Sequence, residues 1–110
     1  MKENPLPDTE TLIGQMRGKA GSLRSLGYRV RVDLADTGES ILVDGTGGSV
    51  SIEASDAEAE ADTILRLTSD DLARLIAGRL SPMLAFSLGK LKVEGSKGVA
   101  LKLASLLDED

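Results

Sequence analysis

The chain has no cysteine, no histidine and no tryptophan, and only Tyr28 and Phe86 of its 110 residues are aromatic. Without cysteine there is no disulfide framework and no thiolate to act as nucleophile or metal ligand. Without histidine, the commonest general base and metal ligand is gone. With two aromatic rings, the interior has to be built from Leu, Ile, Val and Ala. No apolar run approaches the ~18 residues that a membrane-spanning helix needs. Residues 1–7 contain no apolar stretch of signal-peptide type, so a cytoplasmic chain is the expectation. Basic residues are missing from a whole third of the sequence. Residues 32–62 carry nine acidic groups and no basic one, residues 1–31 carry six basic and three acidic, and residues 63–110 carry seven and six. A net charge of −5 on an aromatic-poor chain argues against nucleic acid as a partner. The same acidity opposes docking on anionic membranes. The basic first third can act locally, so membrane contact is expected to be transient at most.

What remains is enough for one domain over 1–110: 41% of the residues are apolar. The most ordered stretch runs from Thr63 to Leu107. Thr63–Leu67 alternates like a half-buried strand. Thr68 can cap a helix whose first turn carries Asp70 and Asp71, where carboxylates suit the positive end of the helix dipole. Leu72, Leu75 and Ile76 then fall on one face, and Gly78 stops the helix. Ser81-Pro82 starts a second, short helix, with proline at its first position, and Gly89 ends it. Leu80, Met83, Leu84, Phe86 and Leu88 make that helix apolar nearly all round. Such a helix should be buried or face something apolar, as plain core or as one wall of a cavity. Lys90–Glu94 alternates again, with Leu91 and Val93 on the apolar side. A last helix follows Gly95 and puts Val99, Ala100, Leu103, Ala104, Leu106 and Leu107 on one face.

Before this stretch, Asp8 or Thr9 can cap a helix with Leu12, Ile13, Met16, Ala20, Leu23 and Leu26 in helical period. Gly14, Gly18 and Gly21 each weaken it by roughly 1 kcal/mol relative to Ala, and Arg17, Lys19 and Arg24 form a basic side. That side reads as a solvated face, or as a membrane or partner face. Strands over 28–34, 40–44 and 49–54 follow, joined by the short turns Asp36-Thr37-Gly38 and Gly45-Thr46-Gly47-Gly48. Clean alternation with short turns predicts antiparallel hairpins with one wet and one dry face. The fold class is α+β: a five-stranded, mostly antiparallel sheet covered on one face by helices.

Few residue groups suggest chemistry. The Gly45–Gly48 run lacks the helix that a phosphate loop must feed into, because a strand follows it. Asp56, Glu58, Glu60 and Asp62 alternate like the first ligands of a calcium loop. Ala61 and Leu67 stand where that loop needs Gly and Glu, so a solvated acidic loop and no metal are expected. No serine has a neighbouring base to activate it, and the paired carboxylates lie in polar sequence rather than beside an apolar pocket. An enzyme is not expected, and neither is a cofactor.

The segment Gly78-Arg79-Leu80-Ser81-Pro82-Met83-Leu84-Ala85-Phe86-Ser87-Leu88-Gly89-Lys90-Leu91-Lys92-Val93-Glu94-Gly95 resembles the sterol carrier protein type-two family of lipid-transfer domains. The family shows Gly-Lys-Leu, then Pro, Ala-Phe, Gly-Lys-Leu-Lys-Val and a closing Gly, with Arg79 here in place of the first Lys. The helix start at Ser69-Asp70-Asp71-Leu72 and the last helix with Lys102-Leu103 also fit. Ser87-Leu88 departs from the commoner Met-Ser, and Ser96 replaces a usual Asp. The resemblance is specific over about 62–107 and looser before it. It implies an apolar tunnel, enclosed between sheet and helices, for a fatty acyl chain, a sterol or a similar lipid. By that implication the ligand-binding residues are Leu72, Leu75, Ile76, Leu80, Met83, Leu84, Phe86, Leu91, Val93, Leu103 and Leu107, and the short apolar helix is a tunnel wall. Two roles follow: a lipid carrier without catalysis, or an accessory module that holds a hydrophobic intermediate, such as an isoprenoid, beside a partner enzyme. Eukaryotic members often end in a peroxisomal tripeptide; with Asp108-Glu109-Asp110 as the last residues here, that address is not expected.

Overall fold

A computed structural model describes residues 8–108. The polar residues 1–7 and the final 109–110, from which leader and targeting were read, lie outside the described residues. Helices α1 (Thr9–Arg17) and α2 (Ala20–Leu23) lead into strands β1 (Arg29–Leu34), β2 (Ser40–Asp44), β3 (Ser51–Ser55) and β4 (Thr63–Leu67). Helices α3 (Ser69–Ile76) and α4 (Pro82–Ser87), strand β5 (Lys92–Gly95) and helix α5 (Lys97–Asp108) complete the order. The sheet runs β3-β2-β1-β4-β5. Three of its pairings are antiparallel, and β1 with β4 is parallel.

The caps that the sequence offers are made. The Asp8 carboxylate accepts from the Thr11 amide at 2.8 Å, and the Thr68 hydroxyl from the Asp71 amide at 3.1 Å. Ser81 Oγ accepts from the Leu84 amide at 3.4 Å, with Pro82 at the start of α4. One expectation changes. The first helical period is two helices rather than one, because the chain leaves α-geometry between Arg17 and Ala20. Leu12, Ile13, Met16, Leu23 and Leu26 are nevertheless all buried, so tertiary packing holds what three glycines weaken. The basic side of this region is engaged as well. Arg17 donates from Nε and Nη2 to the Ile52 carbonyl, at 3.0 and 2.7 Å, and so ties α1 to edge strand β3.

The period-2 pattern sorts the two sheet faces. Val30, Val32, Leu34, Ile41, Val43, Ile52, Leu65 and Leu67 lie buried on the inner face, under the helices. The outer face carries Arg29, Arg31, Asp33, Ser40, Asp44, Arg66, Lys92 and Glu94, matched across the ladders. At the corner into α5, Gly95 has φ +103°, and a Cβ there would sit 3.1 Å from the Asp62 carbonyl and 3.2 Å from Thr63 Oγ1. That Thr63 hydroxyl accepts from the Ser96 amide at 3.1 Å and so fixes where α5 begins.

Gly95→Ala therefore meets both a left-handed backbone and a closed space. We expect it to cost about 2–3 kcal/mol, measured as a drop in urea midpoint at unchanged slope. Gly14→Ala, with open space around its Cα, is expected to leave the midpoint equal or higher by up to ~1 kcal/mol.

Candidate functional site

The residues with a claim to a site meet where α3, α4 and α5 lie over the inner face of β1, β4 and β5. Leu72, Leu75, Leu103 and Leu107 are fully buried, Leu91 is 1% exposed, and Ile76 and Leu80 are buried. Phe86 and Val93 are half-buried against the same cluster, which Ala85, Ala100 and Ala104 complete. Nine of the eleven predicted ligand-binding residues thus converge on one aliphatic layer. Its helix positions follow from sequence: 72, 75 and 76 on α3, and 100, 103, 104 and 107 on α5, each fall on one helical stripe. The alanines let α5 approach the sheet closely. Ala100 and Ala104 carried the signal, but small size made them easy to pass over as wall residues.

The remaining two, Met83 and Leu84, are 62% and 52% exposed. This corrects the reading of α4 as a buried helix. Pro82 and Ala85 are its buried residues, and Met83, Leu84 and Leu88 turn to solvent. Lys97 Nζ lies over the Phe86 ring, 5.5 Å from its centroid, on the flank of that helix. The other nine predicted wall residues pack against one another as core. Surface clefts occur elsewhere: one of about 380 Å³ lies between Ala35, Leu67, Thr68, Gly89, Lys90 and Lys92, and one of about 410 Å³ between Glu10, Ile13, Arg17 and Ala54.

Polar chemistry is concentrated on the outer sheet face, away from the aliphatic layer. Arg31, 8% exposed, donates from Nε and Nη2 to the two Asp33 oxygens at 2.8 and 3.1 Å, and from Nη1 to the Ala59 carbonyl at 3.0 Å. Ser40 Oγ donates to Asp33 at 2.8 Å, and Arg66 adds ion pairs to Asp33 at 3.6 Å and Glu94 at 3.1 Å. Arg31 thus pins the acidic 55–62 segment across the sheet. That segment closes further where the Arg29 amide donates to Asp62 at 2.9 Å. Its carboxylates remain exposed, and no group of three or more acidic side chains among the described residues is gathered to hold a metal. The Gly45–Gly48 run is a hairpin turn, with Asp44 Oδ1 accepting the Thr46 amide and hydroxyl at 3.0 and 2.6 Å.

Four carboxyls are held below their ordinary range: Asp8, through its bonds from Thr11, and Asp33, Asp36 and Asp44. Burial pushes Asp33 up, but the Arg31 guanidinium, the Ser40 hydroxyl and the charge of Arg66 more than offset it. Bonds from Ser69 lower Asp36, and bonds from Thr46 lower Asp44. These groups are structural anchors. A general acid would need the opposite shift.

Residues 10–108 match the family model described as the SCP-2 sterol transfer family. Among curated proteins, human hydroxysteroid dehydrogenase-like protein 2 is 39% identical over 64 residues, which make up 57% of this chain and 15% of that protein. The chain therefore spans a small part of the length of the curated relatives that it matches. Among solved structures, the apo sterol carrier protein 2 of Yarrowia lipolytica superposes with TM-score 0.65 at 24% identity, covering 86% of this chain and 77% of that one. The palmitated SCP2L2 of Aedes aegypti superposes with TM-score 0.67 at 21% identity, covering 94% and 96%. At these identities the superpositions establish the fold.

Two measurements check this geometry. A carboxyl whose pKa is depressed on folding stabilises the fold above its unfolded value, near 3.9, and loses that contribution as pH falls through the folded one. Asp33, Asp36 and Asp44 all have this sign. Stability from urea melts should hold from pH 7 to about 5 and fall below about 4. Asp33→Asn should lower it by on the order of 3 kcal/mol at pH 7 by stranding Arg31, with a shallower acid limb. The second measurement contrasts two leucines. Leu84→Gln, at an exposed site, should cost no more than about 0.5 kcal/mol, whereas Leu103→Gln should cost about 3 kcal/mol or more, through lost burial and a stranded amide together.

Proposed function

Because the chain belongs to the SCP-2 sterol transfer family, we propose that it binds a long aliphatic lipid between α3, α5 and the inner face of the sheet, and releases it unchanged. The observation that carries this reading is the composition of that layer. Leu72, Leu75, Leu91, Leu103 and Leu107 meet there with alanines, and Phe86 at its border is the one aromatic ring in the cluster. The methylene groups of an acyl chain are chemically equivalent to what they would displace. An occupant reaches this layer by parting α3, α4 and α5, whose mutual contacts are apolar and so have no directional bonds to break.

Transferring the guest supplies about 0.8 kcal/mol per methylene. Association and the reopened core offset much of this gain, which leaves affinity suited to pickup and release. No covalent step is assigned to the site. The lowered carboxyls are committed to ion pairs, turns and helix starts, and no histidine or cysteine exists to replace them. A second reading, an accessory module that holds a hydrophobic intermediate beside an enzyme, is favoured by one fact. The curated relatives carry the matching segment as a small part of a much longer protein.

Palmitate, an acyl-CoA and a sterol, each at about a hundredfold its Kd, should stabilise the fold by about 2.7 kcal/mol, a rise in Tm on the order of 10 °C for a domain of this size. Silence from all three at saturating soluble concentration would overturn the lipid-binding reading. Native mass spectrometry separates the two roles: a co-purified lipid supports the carrier, and a stoichiometric protein partner supports the accessory module.

A further inference from the structure

Asp71 is a buried carboxylate without a partner. It is 8% exposed and stands in the first turn of α3, and among the described residues no hydrogen bond or ion pair reaches its side chain. The acids around it are all engaged. Asp70 pairs with Arg74 at 3.1 Å, Asp36 accepts from the Ser69 amide and hydroxyl at 2.9 and 2.6 Å, and Asp33 and Glu94 share Arg66 at 3.6 and 3.1 Å. The Thr68 hydroxyl accepts from the Asp71 amide, but the return bond of a capping box, from the Thr68 amide to the Asp71 carboxylate, is not made. The helix dipole favours a carboxylate in this turn, yet it does not replace the hydrogen bonds lost with water. Asp71 lines the cleft of about 380 Å³ at the start of α3. No side-chain polar atom among the described residues is both sealed and unpartnered, so its oxygens open onto that cleft. The cleft lies at the end of the sheet, where both faces reach it. Thr68 and Asp71 form one side, and Gly89 and Lys90, from the turn between α4 and β5, form the other. Arg66 and Lys92, cross-strand partners on the outer face, make the rim, and Ala35 and Leu67 supply an apolar surface. Lys90 and Lys92 are exposed and make no ion pair among the described residues.

We propose that this cleft binds a small aliphatic zwitterion, of which the α-amino acids are the simplest. Its ammonium meets Asp71, its carboxylate meets Lys90 and Lys92, and its aliphatic body lies against Ala35 and Leu67. The charges select this class because both signs are present and neither is answered within the protein. A simple anion would be repelled by Asp71, and a simple cation or a metal ion by two lysines. An ammonium supplies the charge-assisted hydrogen bonds that a buried carboxylate lacks. Arg66 is held by Asp33 and Glu94 and so shapes the rim rather than competing for Asp71. The volume stands at the small end of the range for small-molecule sites. The cleft is separate from the aliphatic layer, and its chemistry is the same whether or not that layer takes a lipid.

Titration of the full chain, followed by the NMR shifts of its backbone amides, tests this with three probes: leucine, N-acetyl-leucine, which lacks the ammonium, and isopentylamine, which lacks the carboxylate. Leucine should shift the amides of residues 68–71 and 89–92 and saturate with a Kd on the order of 1 mM or below. Each single-charge probe should bind at least about tenfold more weakly. Asp71→Asn should weaken leucine by about tenfold or more, with a melt equal to or above that of the wild type, because an unanswered charge has been removed. Lys90→Gln/Lys92→Gln changes exposed groups only, and should weaken leucine while keeping the wild-type melt. Absence of saturable shifts with leucine, or equal affinity for a probe with one charge, would overturn the proposal. So would an Asp71→Asn protein that melts lower and binds leucine unchanged, the behaviour of a carboxylate kept only to start α3.

Discussion

The fold depends on hiding one face of a five-stranded sheet that is almost wholly aliphatic. Eight Val, Ile and Leu side chains from β1 to β4 stand on that face, and none can satisfy itself with water. The helices are the cover, and covering shapes each of them. Leucines outweigh the glycine penalties in α1 and α2, a stripe at 72, 75 and 76 turns α3 inward, and alanines bring the backbone of α5 close. The cohesion so obtained is non-directional, proportional to buried area rather than to bond geometry. Such a layer specifies which surfaces meet more strongly than it specifies a single packing of them. The same composition therefore serves as a closed core and as a medium in which an apolar guest is tolerated.

Directional constraint comes from the other face of the sheet. Arg31 sits almost out of water and satisfies both oxygens of Asp33 and the Ala59 carbonyl. Breaking such a pair on one side leaves a buried charge, so the network resists partial opening. It fixes the β3–β4 connection across the sheet and, through Arg66 and Glu94, ties β1 to β5. One face thus holds the strands rigidly in register while the other is held by packing alone. If the helices move relative to the sheet, the strands need not.

Much of this was legible in the residues, and for identifiable reasons. Thr68, Ser81, Pro82, Gly78 and Gly89 mark helix ends by local chemistry, and α3 and α4 begin and end at those marks. Strand β4 matches its alternation residue for residue, and β2 does so from Ile41 to Asp44, Ser40 being buried on the outer face. The parallel pairing of β1 with β4 was not legible. An alternating strand looks the same beside either kind of partner, and the choice is made by the 55–62 crossover, whose anchor is Arg31 on another strand. The break after Arg17 was hidden because helical period continues through it: Met16, Leu23 and Leu26 are buried on both sides of the break. For the site, the stripes on α3 and α5 were readable because each had a polar face to define its apolar one. Helix α4 had no such contrast. Six residues with apolar groups all round carry no information about which side turns inward, and burial was the wrong choice for Met83 and Leu84.

That loss of contrast bears on function. In a helix with one apolar stripe, the stripe is used up by the core. Helix α4 has apolar groups in excess of what its contact with α5 consumes, and keeps the excess in water at a standing cost in solubility and stability. Its buried residues are the small Pro82 and Ala85, with Phe86 packed against the core beside them. Lys97 stands over Phe86 on its flank, and the acidic 55–62 segment is fastened on the opposite face by a buried guanidinium. An apolar helix with exposed Met83, Leu84 and Leu88, lying over the same aliphatic layer that forms the core, is the place where the interior comes nearest to any apolar phase outside. The arrangement couples two features by position alone: the helix most ready to meet an apolar surface is also one of the helices that would have to shift for an apolar molecule to enter.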